Sequence, residues 1–236
     1  MDDDPLTTDR RFRAVAKATS AQEVIAQARA TLATARLGLE DMRSRDATRR
    51  NAGLQNVVIF GRIVTWKLQN LRSIDEAHFD DWYEPLKVEM GADALLVYFR
   101  DLRTEIEKQM QPAPQPAGLY IKQLGPNEMA ELQAHAPPHT TSIFLGDPQG
   151  RSGYEVTMPD GTVEKVYFRI PERIGHIIFD MPNRPSSHLG RSIADASMEM
   201  LCKLYLDYME KLIDGAERHF AELVPDQREP LEGRRQ

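Results

Sequence analysis

Apolar residues recur at helical spacing through the first half of the chain and alternate with polar ones over much of the second. Ser20 and Glu23 form a capping-box pattern, in which the hydroxyl accepts an orphan N–H and the carboxylate reaches back. Val24, Ile25, Ala28, Leu32, Ala35 and Leu39 follow and predict a helix over about 21–44 with a narrow, Ala-rich face. A second helix, from Asp46 or Asn51 to Leu71, carries Leu54, Val57, Val58, Phe60, Gly61, Val64 and Leu68 almost all the way round, the signature of a central helix. The acidic run from Ser73 reads as a connection with a short helix from Trp82 to Met90 and Pro85 in its first turn. Asp93 caps a further helix with Leu95, Leu96, Tyr98, Phe99, Leu102 and Ile106 as its buried stripe, ended by Pro112, Pro114 and Pro116.

After these prolines the period falls to two. Leu119–Ile121 and Thr141–Leu145 read as short strands, and Tyr154–Met158 with Val163–Phe168 as a hairpin turned by Asp160-Gly161. His176–Phe179 is a last strand. From Gly190 and Arg191 a long amphipathic helix runs to about Leu223, with Ser192 as a candidate cap. The expected fold is mainly α (α+β): an up-down bundle of four long helices with a small antiparallel β insertion before the last. The organisation is a flexible tail over 1–19, the first bundle helices over 20–111, a Pro-rich linker over 112–117, the β unit over 118–185, the closing helix over 186–224 and a second tail over 225–236. Two independent domains, with the last helix covering the sheet, is the alternative.

Composition narrows the classes. The chain has 236 residues with a formal charge of −6, enough apolar content for a core, and no stretch resembling a membrane span. An acidic start and the lack of an apolar leader point to a cytoplasmic protein. A lone Cys202 excludes an internal disulfide and Cys-based zinc, and its row on the last helix reads as core. His135 and His139 are separated by Pro137-Pro138, which forbids a helical metal pair, so neither a metal nor a cofactor is expected.

Charge is unevenly partitioned. Residues 43–72 carry seven basic side chains and one acid, whereas residues 73–110 carry four basic and ten acidic. Either neighbouring helices neutralise one another, or the basic stretch faces a phosphate-bearing partner. On the second helix Arg62, Thr65, Gln69 and Arg72 are spaced +3, +4, +3 and share a face, with Asn51 and Gln55 approximately in line. Such a row in a central helix must find partners. Two readings stay open: a network with acids such as Asp101 or Glu105, and a cationic pocket that binds an anion. Arg184 to Arg191 likewise reads either as an anion-suited helix start or as a solvated turn.

The helix containing Tyr98-Phe99-Arg100-Asp101-Leu102-Arg103-Thr104 ends in Leu-Arg-polar late in a bundle. In this it resembles the HEPN superfamily of nucleotide- and RNA-associated helical domains, over residues 46–110 and the final helix. The resemblance implies a dimer whose partners are a nucleotide, RNA or another protein, in a stress or phage-defence setting. Active HEPN ribonucleases place a His beyond the motif Arg. Here those slots hold Lys108, Gln109 and Met110 counted from Arg103, or Glu105, Ile106 and Glu107 counted from Arg100. The expectation is therefore a non-catalytic binding or regulatory module, a homodimer because a two-fold is the default symmetry for such a bundle, with a groove of Asn51, Arg62, Thr65, Gln69, Arg72 and Arg103. The alternatives are a metal-independent ribonuclease using Arg100 and Arg103 with Lys108 in place of His, and a purely structural or dimerisation protein.

Overall fold

The computed structural model describes residues 20–44, 46–108, 114, 116–181 and 183–221; both expected tails, and residues 112, 113 and 115 of the expected Pro-rich linker, lie outside them, while Pro116 and Ala117, expected in that linker, belong to the first strand. Helix α1 spans Ala21–Asp41 and starts where Ser20 Oγ accepts the Glu23 N–H at 3.2 Å. Helix α2 spans Ala47–Gln69, capped by Asp46, whose carboxylate accepts the Arg49 N–H at 2.7 Å. A 3₁₀ turn over Asn70–Ser73 leads into α3, Glu76–Ala92, and then α4, Ala94–Lys108. The β unit follows with β1 (Pro116–Ile121), α5 (Pro126–Ala134), β2 (Thr140–Phe144), β3 (Ser152–Thr157), β4 (Val163–Phe168) and β5 (Gly175–Phe179). A minimal hairpin of β6 (Ser187–His188) and β7 (Arg191–Ser192) precedes α6, Met198–Ala221.

Three sequence expectations need correction. The bundle has five helices of 15 to 24 residues, not four, because α3 begins at Glu76 rather than near Trp82. Asp75 caps it by accepting the His78 N–H at 3.0 Å, and Pro85 lies in its interior instead of its first turn. Pro85 and Asp81 are both exposed, so the carbonyl that loses its helical partner faces solvent. The last helix begins at Met198, not at Arg191, with Ser197 rather than Ser192 at its start: Ser197 Oγ accepts the Met200 N–H at 3.1 Å. Leu189 and Gly190 have φ of 47° and 75°, the paired left-handed geometry of a two-residue hairpin, which no helix start can hold. Within the β unit, α5 was not anticipated. Pro126 opens it, and the Glu128 carboxylate accepts the Gly125 N–H at 2.9 Å.

One core joins α1, α2, α3, α4 and α6, with Leu54, Leu68, Leu71, Leu95, Phe99 and Leu206 among its fully buried members. α2 is central, as its encircling apolar positions imply. α1 and α2 cross at facing glycines: a Cβ on Gly53 would stand 2.5 Å from the Gly38 carbonyl oxygen. α1 runs antiparallel to α6, and a ladder at seven-residue intervals records the register. Arg36 pairs with Glu210 at 2.8 Å and Arg43 with Glu199 at 2.7 Å, while Arg29 pairs with Asp214 at 2.9 Å and also with Glu217. These pairs are exposed and worth well under about 1 kcal/mol each, so they select a register more than they hold the fold.

The β unit has its own small core of Leu132, Ile170 and Ile174. β2, β3 and β4 form an antiparallel meander turned at Gly161, and β1 pairs antiparallel with β5. Phe179 and Met181 pack on the main core and seat the unit on the bundle. At the far end His78 and His219 stack at 3.9 Å, each Nε2 bonded to the other's carbonyl, at 2.8 and 3.0 Å, which clasps the start of α3 to the end of α6. Cys202 is fully buried among the core residues of α6, and burial pushes its thiol pKa up. No helix among the described residues is long and apolar enough to cross a membrane.

Candidate functional site

The polar row of α2 opens onto a groove. α3 joins the bundle mainly through the 3₁₀ turn and α4, and it stands away from the body of α2. The gap is a cavity of about 430 Å³. Arg62, Thr65, Gln69 and Arg72 line it from the α2 side, Tyr83 and Lys87 from α3 and Arg100 from α4. Tyr205 and Met209 of α6 are part of its apolar floor, with Phe79 and Leu96.

The members of the row differ in how they are held. Thr65 is 2% exposed, and its hydroxyl both accepts from Arg62 Nη1 and donates to the Arg62 carbonyl, each at 2.9 Å. This pins the Arg62 guanidinium along the helix, 5.6 Å from the centre of the Trp66 ring. Gln69 Nε2 donates to Tyr83 Oη at 3.2 Å and bridges the groove. Arg72 is half exposed and already matched by two acids of α3, Glu76 at 3.2 Å and Asp80 at 2.9 Å. Arg100 is held by Asp101 at 2.9 Å and Lys87 by Glu84 at 3.1 Å. Arg62 is different: among the described residues no carboxylate lies within ion-pair distance of it.

Of the residues expected to act together, Arg62, Thr65, Gln69 and Arg72 line one cavity, whereas Arg103 and Asn51 do not. Arg103 pairs with Glu107 and lies 4.4 Å over the ring of Trp66. Asn51 sits eleven residues before Arg62 on the same helix, roughly 16 Å along its axis. Lys108 closes α4, and its side chain lies outside the described residues. Neutralisation between adjoining segments is partial: Arg72 takes acids of the 73–110 stretch, but Arg43 pairs with α6 and Arg49 with Asp41 of α1. The expected network with Asp101 or Glu105 is not the one formed, since Asp101 serves Arg100.

Sequence reasoning missed Trp66, Lys87 and Tyr83 as groove neighbours. A signal for Trp66 was present, because it follows Arg62 by four residues and therefore lies on the same side of α2. The floor is tightly built. Tyr205 stacks on Phe99 at 4.3 Å, burial pushes its phenol pKa up, and a Cβ on Gly61 would stand 2.4 Å from its ring. Gly61→Ala is therefore expected to displace Tyr205 into the groove and to cost about 1–2 kcal/mol of overpacking strain. Chemical denaturation reads the loss, and near-ultraviolet circular dichroism reads the change around Tyr205. A stability within about 0.3 kcal/mol of the parent would contradict this packing.

Chemically the groove offers donors, a guanidinium, an amide and a phenol, above an apolar floor. That set can hold and orient an anion carried on an apolar or aromatic body. Among the described residues no three His, Cys, Asp or Glu side chains gather as a metal site. No protein-family model, curated protein or solved structure matches the chain.

Proposed function

We propose that the protein is a HEPN-like binding or regulatory module, and that its α2–α3–α4 groove holds a phosphate-bearing ligand: a nucleotide or the terminal phosphate of an RNA. The observation that carries this reading is Arg62, a cation lining the cavity, oriented by Thr65 and with no carboxylate partner among the described residues. A guanidinium without an internal counter-ion gains most from a phosphate, which it binds through charge-assisted bonds. The apolar floor suits the face of a base, and Lys87 and Arg100 at the rim add attraction that salt would screen. The chain's net charge of −6 argues for local capture in the groove and against diffuse attraction along a nucleic-acid backbone.

Titration with adenosine and guanosine nucleotides and with a short 5′-phosphorylated RNA, followed by calorimetry, tests the reading. Binding is expected in the parent and should weaken about tenfold or more in Arg62→Gln, the loss of one charge-assisted contact. Arg72→Gln, whose guanidinium already has two acids, should change it far less. No binding in the parent, or equal binding in Arg62→Gln, would overturn the proposal. The ribonuclease reading has less support, because Arg100 and Arg103 are each held by a separate acid and only Arg100 lines the cavity. It would prevail if the parent degraded RNA and Arg103→Ala did not.

A further inference from the structure

A second groove, which shares no lining residue with the α2–α3–α4 groove, runs between α3 and α6 and encloses about 580 Å³. Its apolar surface comes from Trp82 and Leu86 of α3, Leu212 of α6 and Leu189, the 43%-exposed turn residue of the β6–β7 hairpin. Gly215 keeps the space beside the indole open: even a Cβ there would stand 3.5 Å from Trp82 Nε1. The indole N–H has no acceptor among the described residues, although such a group usually finds one when covered. Tyr208 and His219 mark the ends of the groove on α6, eleven residues or roughly 16 Å apart.

α6 carries two rows of side chains one position apart, each with the spacing +3, +4, +3 that keeps four residues on one face. Asp207, Glu210, Asp214 and Glu217 form the first, and arginines of α1 match all four: Arg36 takes Asp207 and Glu210, and Arg29 takes Asp214 and Glu217. Tyr208, Lys211, Gly215 and Arg218 form the second, turned about 100° round the helix, and all four line the groove. Tyr208 Oη donates to Glu89 Oε1 at 2.8 Å, which commits the carboxylate that α3 contributes to the wall. Lys211 has no carboxylate within ion-pair distance among the described residues, and neither has Arg218, whose Nε donates to the Asp214 carbonyl at 3.2 Å. The acids one turn away already serve α1.

We propose that this groove docks an amphipathic helix of a partner protein, one that carries two acidic side chains seven residues apart with apolar residues between them. Lys211 and Arg218 are separated by seven residues, about 10.5 Å along α6, and any α-helix lying along the groove repeats a face at that same interval. The arrangement copies, with the signs exchanged, the way α6 already holds α1. A helix suits these walls better than an extended segment, because both walls are helices and neither presents a strand edge to pair with. Apolar residues three and four positions after the first acid meet Trp82, Leu86, Leu189 and Leu212, and removing that surface from water drives the association. The two exposed cations fix the register and speed the encounter.

Fluorescence anisotropy of a fluorescein-labelled peptide tests the surface. The probe is an Ala-based helix of about 18 residues, with two Glu seven apart and Leu at the positions three and four after the first. Saturable binding to the full chain is expected, weakening as sodium chloride rises. Lys211→Glu/Arg218→Glu, which changes two exposed side chains, should bind this peptide about tenfold more weakly or worse. It should instead take up the same peptide with Lys in place of Glu, an exchange of preference that no loss of folding can produce. Leu189→Asn, which suits the left-handed turn, should lower affinity about tenfold by removing apolar contact. No saturable binding by the parent, equal affinity for both peptides, or affinity unchanged in the charge-reversed variant overturns the proposal. So does a parent that dimerises in sedimentation velocity and loses the dimer in Lys211→Glu/Arg218→Glu, which would assign the groove to a second copy of this chain.

Discussion

Asp93→Ala is expected to destabilise the protein by about 3–5 kcal/mol, the range for stripping one partner from a buried charged cluster. Asp93 is 8% exposed and joins three parts of the chain. Its Oδ1 accepts the Leu96 N–H at 3.0 Å, which caps α4, and the His188 Nδ1–H at 3.0 Å. Its Oδ2 accepts the Leu189 N–H at 2.7 Å and so holds the turn of the β6–β7 hairpin. Removing the carboxylate strands all three donors, and a buried donor without a partner costs far more than an average hydrogen bond contributes. Burial alone would raise the Asp93 pKa, but the N–H of Leu189, then His188 and the Leu96 N–H outweigh it and bring the value below the ordinary carboxylate range. The sign follows: a depressed folded pKa stabilises fully above the unfolded value near about 3.9, and that contribution is lost as pH falls through the lower folded value. Denaturant titrations between neutral pH and about pH 3 should show the parent losing stability on acidification with a steeper slope than Asp93→Ala. A loss under about 1 kcal/mol at neutral pH, with the same acid slope in both proteins, would remove Asp93 from its role as the tie.

A second large effect is expected at the α1–α2 crossing. In Gly53→Ala the new Cβ would stand 2.5 Å from the Gly38 carbonyl oxygen and 2.8 Å from the Met42 nitrogen, and at Gly38 it would stand 2.7 Å from the Gly53 oxygen. These are backbone atoms and no rotamer relieves them, so the two helices must separate along their most buried faces. Overpacking of this kind costs up to about 3 kcal/mol, against a helix-propensity gain of about 1 kcal/mol for Ala over Gly. The net expectation is a loss of about 2 kcal/mol, and more for Gly53→Leu. Gly91→Ala on α3, where nothing lies within 4 Å of the added carbon, should instead gain a few tenths to about 1 kcal/mol. Shifts of opposite sign at the two sites, with the loss the larger, would show that crossing distance, not glycine content, limits stability. Similar gains at both would mean that the helices are not in contact there.

How far each element could be read depended on how local its cause is. The starts of α1 and α4 were legible from Ser20 and Asp93, because a cap acts within three residues. The hairpin was legible from alternation and Asp160-Gly161, whose turn places Gly161 at φ of 83°. The start of α3 was not, because its acidic first turns resemble a linker until Phe79 and Tyr83 are seen buried against the bundle. α5 escaped because nine residues provide little periodicity, and its Leu132 finds a core only with Ile170 and Ile174. The hairpin before α6 escaped because the anchor that makes it stable, Asp93, lies 95 residues away from His188.

The same division runs through the candidate sites. The +3, +4, +3 row from Arg62 to Arg72 follows from the pitch of one helix, and so the sequence by itself determined that these four side chains share a face. Which of them keeps its charge available was decided only in three dimensions. Arg72 meets Glu76 and Asp80 because a 3₁₀ turn brings α3 back alongside it, Asp101 is taken by Arg100, and Arg62 is left with Thr65 and the face of Trp66. Helical phase is a property of neighbours in the chain. Charge matching depends on which distant carboxylate comes within a few ångströms, and no local pattern encodes that distance.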